Sequence, residues 1–523
     1  MRGLAVFILL LFTSGPVHGQ TDDDLTSLSH IVGSGKRVFM LGLLSEGEYL
    51  ADNGYFYDAC VTYNGILARG EEEEGYFRHA EFGIAENLLQ LGLAYSAFTY
   101  FARIVDAGPG HPRYLEVVPQ LVLIHRLLPG LQSVREYIAI YPAAVYPAEM
   151  KDEIAFTAAL FHYNVEQFEE ALPLLEGVTR EHEELYLKAR YLLGTTQVRL
   201  NRAREALEAF KEILRYVRDA GQVSDAAREL ESRAIMAMAR IFYSTGDFVT
   251  ALRYYKQIEK YSPHWLQALF EESWAYFRLG QFERAMGTIH TLTAPYFEGG
   301  YFPETAVVQA VIMYTNCRYD DAVSIVDRFV EQFDGLRKEL KERLDGTPDP
   351  TDFYFWLLSL STGRGQGFTP RLKRIFNLAL SDQKLARAFA LVLALDREKD
   401  WLETTAANAA QHTLALELLG EVVTYRELAL GSAGEMARNR LDGRRRELQR
   451  YLTQGLRVKF ESINVLREHL SGDRELVSPG KPPQFQLDGN DDYLPWPFWG
   501  GYWKDELEHY YFRVENLCPA EAP

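Results

Sequence analysis

Cysteine is nearly missing from this chain, with three residues in 523, at positions 60, 317 and 518. So few thiols make no disulfide framework, and no Cys/His spacing suits a structural metal. An odd number in an oxidising compartment leaves at least one cysteine without an intramolecular partner. Cys60 follows an apolar helical position and Cys317 sits near an interhelix turn, so both read as packed side chains. Cys518, close to the C-terminus, could pair with another chain. Long apolar runs are scarce as well: beyond the first twelve residues none approaches the roughly eighteen needed to cross a bilayer. Basic residues are outnumbered, 55 Lys and Arg against 73 Asp and Glu, for a net charge of −18. A surface of that sign repels nucleic acid and anionic lipid.

Catalytic signatures are missing too. His182-Glu183-Glu184 lacks the second histidine of a zinc-protease helix, and there is no Gly-x-Ser-x-Gly elbow. Gly363-Arg-Gly-Gln-Gly367 is not followed by Gly-Lys-Ser/Thr, so it is a turn and not a phosphate loop. The acidic run Glu71–Glu74, between Gly70 and Gly75, lacks the alternating oxygen ligands of a calcium loop. Its carboxylates suit the start of a helix, where the dipole favours negative charge. The chain is therefore expected to have no catalytic residue, no metal ligand and no cofactor, and not to be an enzyme.

What is present is a repeat. In residues 231–263 Ile235, Met238, Ala239 and Phe242 lie at helical spacing, Gly246-Asp247 breaks the pattern, and Ala251, Leu252, Tyr255 and Ile258 resume it before Ser262-Pro263. This is helix, turn, helix, closed by a proline. A small residue followed four positions later by an aromatic or aliphatic one recurs as Ala59/Tyr63, Ala97/Phe101, Ser133/Tyr137, Ala171/Leu175, Ala206/Phe210, Ala251/Tyr255, Ala285/Ile289 and Ala322/Val326. The spacings are 38, 36, 38, 35, 45, 34 and 37 residues. The wide one, around residues 218–233, calls for an extended helix end or a longer loop. No such unit buries its apolar face alone, so neighbours must stack. The unit resembles the tetratricopeptide repeat, with its small residue, aromatic and terminal proline. That resemblance covers residues 38–334 and implies an all-α solenoid, a right-handed superhelix of helix hairpins that binds other proteins.

The ends differ from the middle. Leu4–Phe12 is an apolar run of nine behind Arg2, and Val17-His18-Gly19 fits a cleavage site, so residues 1–19 read as a secretory signal. Residue 20 is Gln, not the Cys of a lipoprotein. A periplasmic protein without an integral span is expected. Residues 20–35 read as a flexible lead-in, and the solenoid then occupies 36–340. Residues 341–475 form a helical domain: Ser381 is placed to cap one helix, and two long helices, about 401–430 and 432–470, suggest a hairpin that caps the solenoid. The basic cluster Arg444-Arg445-Arg446 reads as a solvated face.

Residues 476–523 are a tail in which prolines 495 and 497 forbid a regular helix. Tyr510, Phe512 and Val514 alternate with polar positions as in a strand, giving a short aromatic and proline-rich segment with a possible strand. Such aromatics either fold back onto the helical body or dock elsewhere, and Trp496, Phe498, Trp499, Tyr502 and Trp503 are the candidate partner-docking residues. The segment ending in Tyr502-Trp503-Lys504-Asp505-Glu506-Leu507 is similar to periplasmic tetratricopeptide proteins of gliding-motility envelope machines in deltaproteobacteria. It implies partners among envelope-complex subunits. Two other roles are weighed: an outer-membrane assembly factor, and a peptidoglycan-lytic enzyme of the solenoid kind, which carries a Glu-Ser pair. Glu272-Ser273 is such a pair, but it lies inside a repeat helix where a small residue serves packing.

Overall fold

The amphipathic periods become helices throughout. The computed structural model describes residues 22–70, 74–297, 301–361, 370–408, 413–471 and 498–518. The chain divides into two compact units, residues 1–117 with 409–416, and residues 118–408 with 417–523.

In the first unit α1 (Asp22–Asp52), α2 (Phe56–Leu67), α3 (Glu74–Gln90) and α4 (Ala94–Asp106) pack in succession. The stretch expected to be a flexible lead-in is helical from Asp22. No proline interrupts it, and its two glycines each cost only about 1 kcal/mol in a helix that continues into the first repeat. Tyr63 is the ring that fills this unit. Cβ atoms added at Gly47 and Gly83 would stand 2.4 and 2.7 Å from it, so α1 and α3 approach through their glycines. Cys60 is fully buried beside it and free, as packing implied.

The second unit runs through α5 (Val117–Leu127), α6 (Gln132–Ala139), α7 (Lys151–Asn164), α8 (Phe168–Glu176), α9 (Glu183–Arg199), α10 (Ala203–Ala220), α11 (Asp225–Ser244), α12 (Phe248–Tyr255), α13 (Trp265–Arg278), α14 (Phe282–Leu292), α15 (Glu304–Thr315) and α16 (Tyr319–Gly346). From α6 to α16, helices next to each other in sequence pack together or are joined by tight turns. The organising hairpin shows the reason. Gly246 takes φ +84°, which ends α11, and Asp247 accepts from the Thr250 N–H at 3.0 Å to start α12. Ala239 and Ala251 are fully buried, and Phe242 stacks on Tyr254 with centroids 5.4 Å apart. Between α9 and α10 the positive φ falls on Asn201 (+57°), and Gly194 inside α9 admits the Phe210 ring.

The anchor pairs are buried at 59/63, 97/101, 171/175, 206/210, 251/255, 285/289 and 322/326. The pair at 133/137 is a correction. In α6 the buried apolar positions are Val134 and Ile138, one residue later, while Ser133 and Tyr137 are half-buried. An eight-residue helix holds too few turns for one small residue to set its register. The insertion near residue 220 lengthens α10 and α11, and Ser224 caps the latter by accepting from Ala227 N–H at 3.2 Å. Arg190 is buried, and its guanidinium donates to the carbonyls of Leu175 (2.5 Å) and Glu176 (3.1 Å), closing the C-terminus of α8.

Beyond the repeats come α17 (Pro350–Ser361), α18 (Pro370–Leu380), α19 (Gln383–Asn408) and α20 (Thr413–Leu470). Three expectations change here. Asp382, not Ser381, caps α19, accepting from Lys384 N–H at 2.7 Å, while the Ser381 hydroxyl donates to Leu378. The Gly431-Ser432 break is absent: α20 is one helix of 58 residues. Packing on both sides of that point holds it straight through, with Leu430 and Ala433 in one cluster beside Tyr354 and Val392. The hairpin partner of α20 is therefore α19, tied to it by the Arg426–Asp396 ion pair. Further on, Leu448, Tyr451 and Leu452 cover Val307 and Phe329 of the last repeat helices. Gly434 permits the close approach of α17: a Cβ there would stand 1.8 Å from the Pro350 carbonyl oxygen. Arg444, Arg445 and Arg446 are ion-paired to Glu447 and Asp442.

Candidate interaction surface

The C-terminal arm, residues 498–518, returns to the second unit and crosses its repeats. The strand suggested by its alternation does not form: these residues are assigned neither strand nor helix. A strand needs an edge to pair with, and the described residues offer helices alone. The arm runs antiparallel to α14. Tyr296 Oη donates to the Tyr502 carbonyl at 2.6 Å, Tyr261 Oη to that of Lys504 at 3.0 Å, and Lys260 Nζ to that of Leu507 at 3.2 Å. In return the N–H groups of Glu508, Phe512 and Leu517 donate to Thr291 Oγ1 (3.1 Å), Glu283 O (3.2 Å) and Asn316 O (3.0 Å).

Side chains anchor what the main chain positions. Leu507 is fully buried among Ile235, Met236, Tyr255, Trp265 and Leu269, and Val514 is buried against Ala285, Ile312 and neighbours. Trp265 Nε1 donates to the Glu508 carboxylate, which also faces Lys260 Nζ at 3.3 Å. His290 lies against Tyr502 (centroids 4.9 Å, 24°) and meets Phe498 and Tyr510 edge-on; burial holds its pKa below the ordinary imidazole value. Gly287 is where the arm passes nearest: a Cβ there would stand 1.8 Å from the Tyr510 carbonyl oxygen.

A disulfide closes the far end, Cys317 to Cys518 with Cα atoms 5.0 Å apart across 201 residues of chain. This corrects the reading of Cys317 as a packed thiol and gives Cys518, whose partner the sequence left open, one within the chain. The pairing was invisible in sequence because nothing local brings position 518 to the α15–α16 turn.

The predicted docking residues divide accordingly. Tyr502 is half-buried under Tyr296 and His290. Phe498 is packed on one side and 45% exposed, whereas Trp499 and Trp503 stand out at 88% and 66%. Trp496 lies outside the described residues. Leu507, Glu508 and Val514 were missed, since one leucine in an acidic stretch carries no periodic signal. The clue was Gly287, a glycine inside a well-formed helix, which marks a close backbone approach.

Beneath the arm lies a charge cluster. Glu272 of α13 is 7% exposed, 4.0 Å from Lys256, and desolvation pushes its carboxyl pKa up to about 7. Lys256 and Tyr276 pull against that rise, and Glu508 of the arm adds to it. The folded pKa is thus above the unfolded one, so protonation stabilises the fold. Stability from this group is fully present below about pH 4.5 and is lost as pH rises through about 7. Above that the buried charge costs up to ~3 kcal/mol. Glu272→Gln is expected to raise the unfolding midpoint at pH 8 and to gain several-fold less at pH 5, read by thermal melts at both values. Ser273 Oγ donates to the Phe270 carbonyl at 2.7 Å, so the pair is used for structure.

Among the described residues no group of three or more His, Cys, Asp or Glu is placed to hold a metal ion, and no helix is long and apolar enough to cross a membrane. With the hairpins and anchors in place, comparison with known proteins is decisive: the tetratricopeptide repeat family model matches residues 156–222 and 236–289, which run from α7 to α14. These two stretches are tetratricopeptide repeats. No curated protein matches the chain. Among solved structures, a tetratricopeptide repeat protein from Parabacteroides merdae is 17% identical, with TM-score 0.31 over 49% of this chain and 92% of its own. Pseudomonas aeruginosa pilF is 14% identical, with TM-score 0.24 over the same shares. The apo form of RapI is 11% identical, with TM-score 0.33 over 74% of this chain and 98% of its own. The repeats carry interaction with other proteins as their general capacity.

Proposed function

We propose that this tetratricopeptide repeat protein is an exported scaffold that joins other subunits of a cell-envelope complex and catalyses no reaction. The observation that carries this reading is the arm: anchored along most of its length, it leaves Trp499 and Trp503 outside. Large exposed aromatics on a pre-organised support are the side chains that dominate interface energies, because little ordering remains to be done on binding. Export is supported by the apolar run Leu4–Phe12 ahead of Gly19 and by the Cys317–Cys518 bond, which suits an oxidising compartment. The likeness of the Trp/Pro-rich tail to gliding-motility components makes that machinery the envelope complex we favour. A lytic role finds no support at Glu272, which is buried against Lys256 with no open side for a polysaccharide.

The test pairs location with contact. Protein recovered from the periplasmic fraction should begin at Gln20. Recovery of cross-linked partners should fall at least tenfold in the Trp499→Ala, Trp503→Ala double variant while its helical signal is unchanged. Residence in the cytoplasm, or an undiminished set of partners, would overturn the proposal.

A further inference from the structure

The arm is held the way a foreign peptide would be held. Residues 502–517 have no helix or strand of their own, and the surface of the repeats reads their main chain through Tyr296, Tyr261, Lys260 and Thr291. Such contacts accept many sequences. Selectivity sits at two adjacent positions: a closed apolar seat for Leu507, and the Trp265 and Lys260 donors that take the Glu508 carboxylate. A turn at 504–508, held by the Glu506 N–H on the Trp503 carbonyl at 3.2 Å, presents both side chains to these seats, and main-chain bonds with a few side-chain seats are the elements of peptide recognition. Among the described residues of the arm, Leu507 and Val514 are the buried aliphatics, so apolar burial alone holds it weakly. Ordering each residue of the segment costs conformational entropy, so the covalent latch at Cys518 is part of the hold.

We infer that the groove along α14, from the α12–α13 turn to the α15–α16 turn, is a peptide site that the arm fills as a tethered ligand. When the Cys317–Cys518 bond is open, a segment of another protein with the same chemistry takes its place: an aliphatic residue followed directly by a carboxylate, with a second aliphatic seven positions after the first. A dithiol opens the latch. One of its thiolates attacks a latch sulfur, the other cysteine leaves as a thiolate and is protonated, and the second thiol of the reagent closes the reagent's own disulfide. Two cysteine thiols remain on the protein. While the bond is closed the arm is tethered at both ends, and its effective concentration excludes competitors. This inference rests on the scaffold reading but concerns a different surface from Trp499 and Trp503.

The experiment titrates a fluorescein-labelled peptide of residues 501–517 into full-length protein in three forms: oxidised, reduced with a dithiol, and Cys518→Ser. Saturable binding is expected to the reduced and Cys518→Ser forms, at least tenfold weaker to the oxidised form, and tenfold weaker again for peptides carrying Leu507→Ala or Glu508→Ala. Amide exchange at 507–514 should quicken once the latch is open, and Lys260→Ala should quicken it even in the oxidised chain. Retained far-ultraviolet helicity establishes that each form is folded, and the reduced wild type decides if Cys518→Ser is not. Failure of the peptide to bind the opened forms, equal binding by the Glu508→Ala peptide, or unchanged arm protection without the bond would each overturn the inference. Loss of the groove with partners still captured through Trp499 and Trp503 would leave the scaffold reading standing, and the converse would remove that reading alone.

Discussion

Phe210→Ala is expected to cost about 3–5 kcal/mol, the range for emptying a closed aromatic seat. Phe210 has no exposed surface and lies among Tyr186, Leu187, Ala206, Ile213 and Met238. Its ring fills the space that Gly194 leaves: a Cβ there would stand 2.5 Å from it. The cavity cannot be closed by a small shift, because the ring sets the spacing of α9 and α10 and both are held by α11. In a stack whose stability is a sum of repeat and interface terms, that loss falls on two interfaces at once. Amide exchange should therefore accelerate across α9–α11 before it does in α15 and α16, and the urea midpoint should fall. A loss under ~1 kcal/mol, or one spread evenly over the helices, would show that Phe210 is not the keystone of its repeat.

Gly287→Ala decides between two effects of opposite sign. Helix propensity alone favours alanine inside α14 by about 1 kcal/mol. The new methyl, however, would stand 1.8 Å from the Tyr510 carbonyl oxygen and 2.6 Å from its carbon, both backbone atoms that no rotamer change can move aside. Overpacking of this kind costs ~1–3 kcal/mol, and lifting the arm also exposes Leu507, worth about 1.5–3 kcal/mol. The clash should win: amides of 507–512 are expected to lose protection while the disulfide stays closed. Gly335→Ala in α16 is the control, since nothing lies within 4 Å of its Cβ position. It should stabilise by roughly 0.5–1 kcal/mol. If both variants stabilise, the arm does not seat on α14 as described.

How much of this was legible follows the range of the interactions. The pair Ala251/Tyr255 and the break at Gly246-Asp247 could be read directly, because helix period, turn and cap are all set within a few residues. The register of α6 could not, since in so short a helix the packing of Val134 and Ile138 outweighs a lone Ser133. Nor could the continuity of α20 through Gly431-Ser432, where neighbours on α17 and α19 keep helical a stretch whose own residues favour a stop. The aromatic tail was visible as an anomaly, yet its division into seated Tyr502 and protruding Trp499 depends on His290 and Tyr296, some two hundred residues away.

The chain's order of residues was sufficient to establish a stack of helix pairs, because each pair is built from contacts three to five positions apart and a turn between them. Which cysteines join, where the arm lies and what it leaves outside were settled only once distant segments met. Those contacts depend on the Gly287 face of α14, where the Tyr510 carbonyl lies, and on the apolar seat of Leu507, and neither exists until the repeat helices have packed.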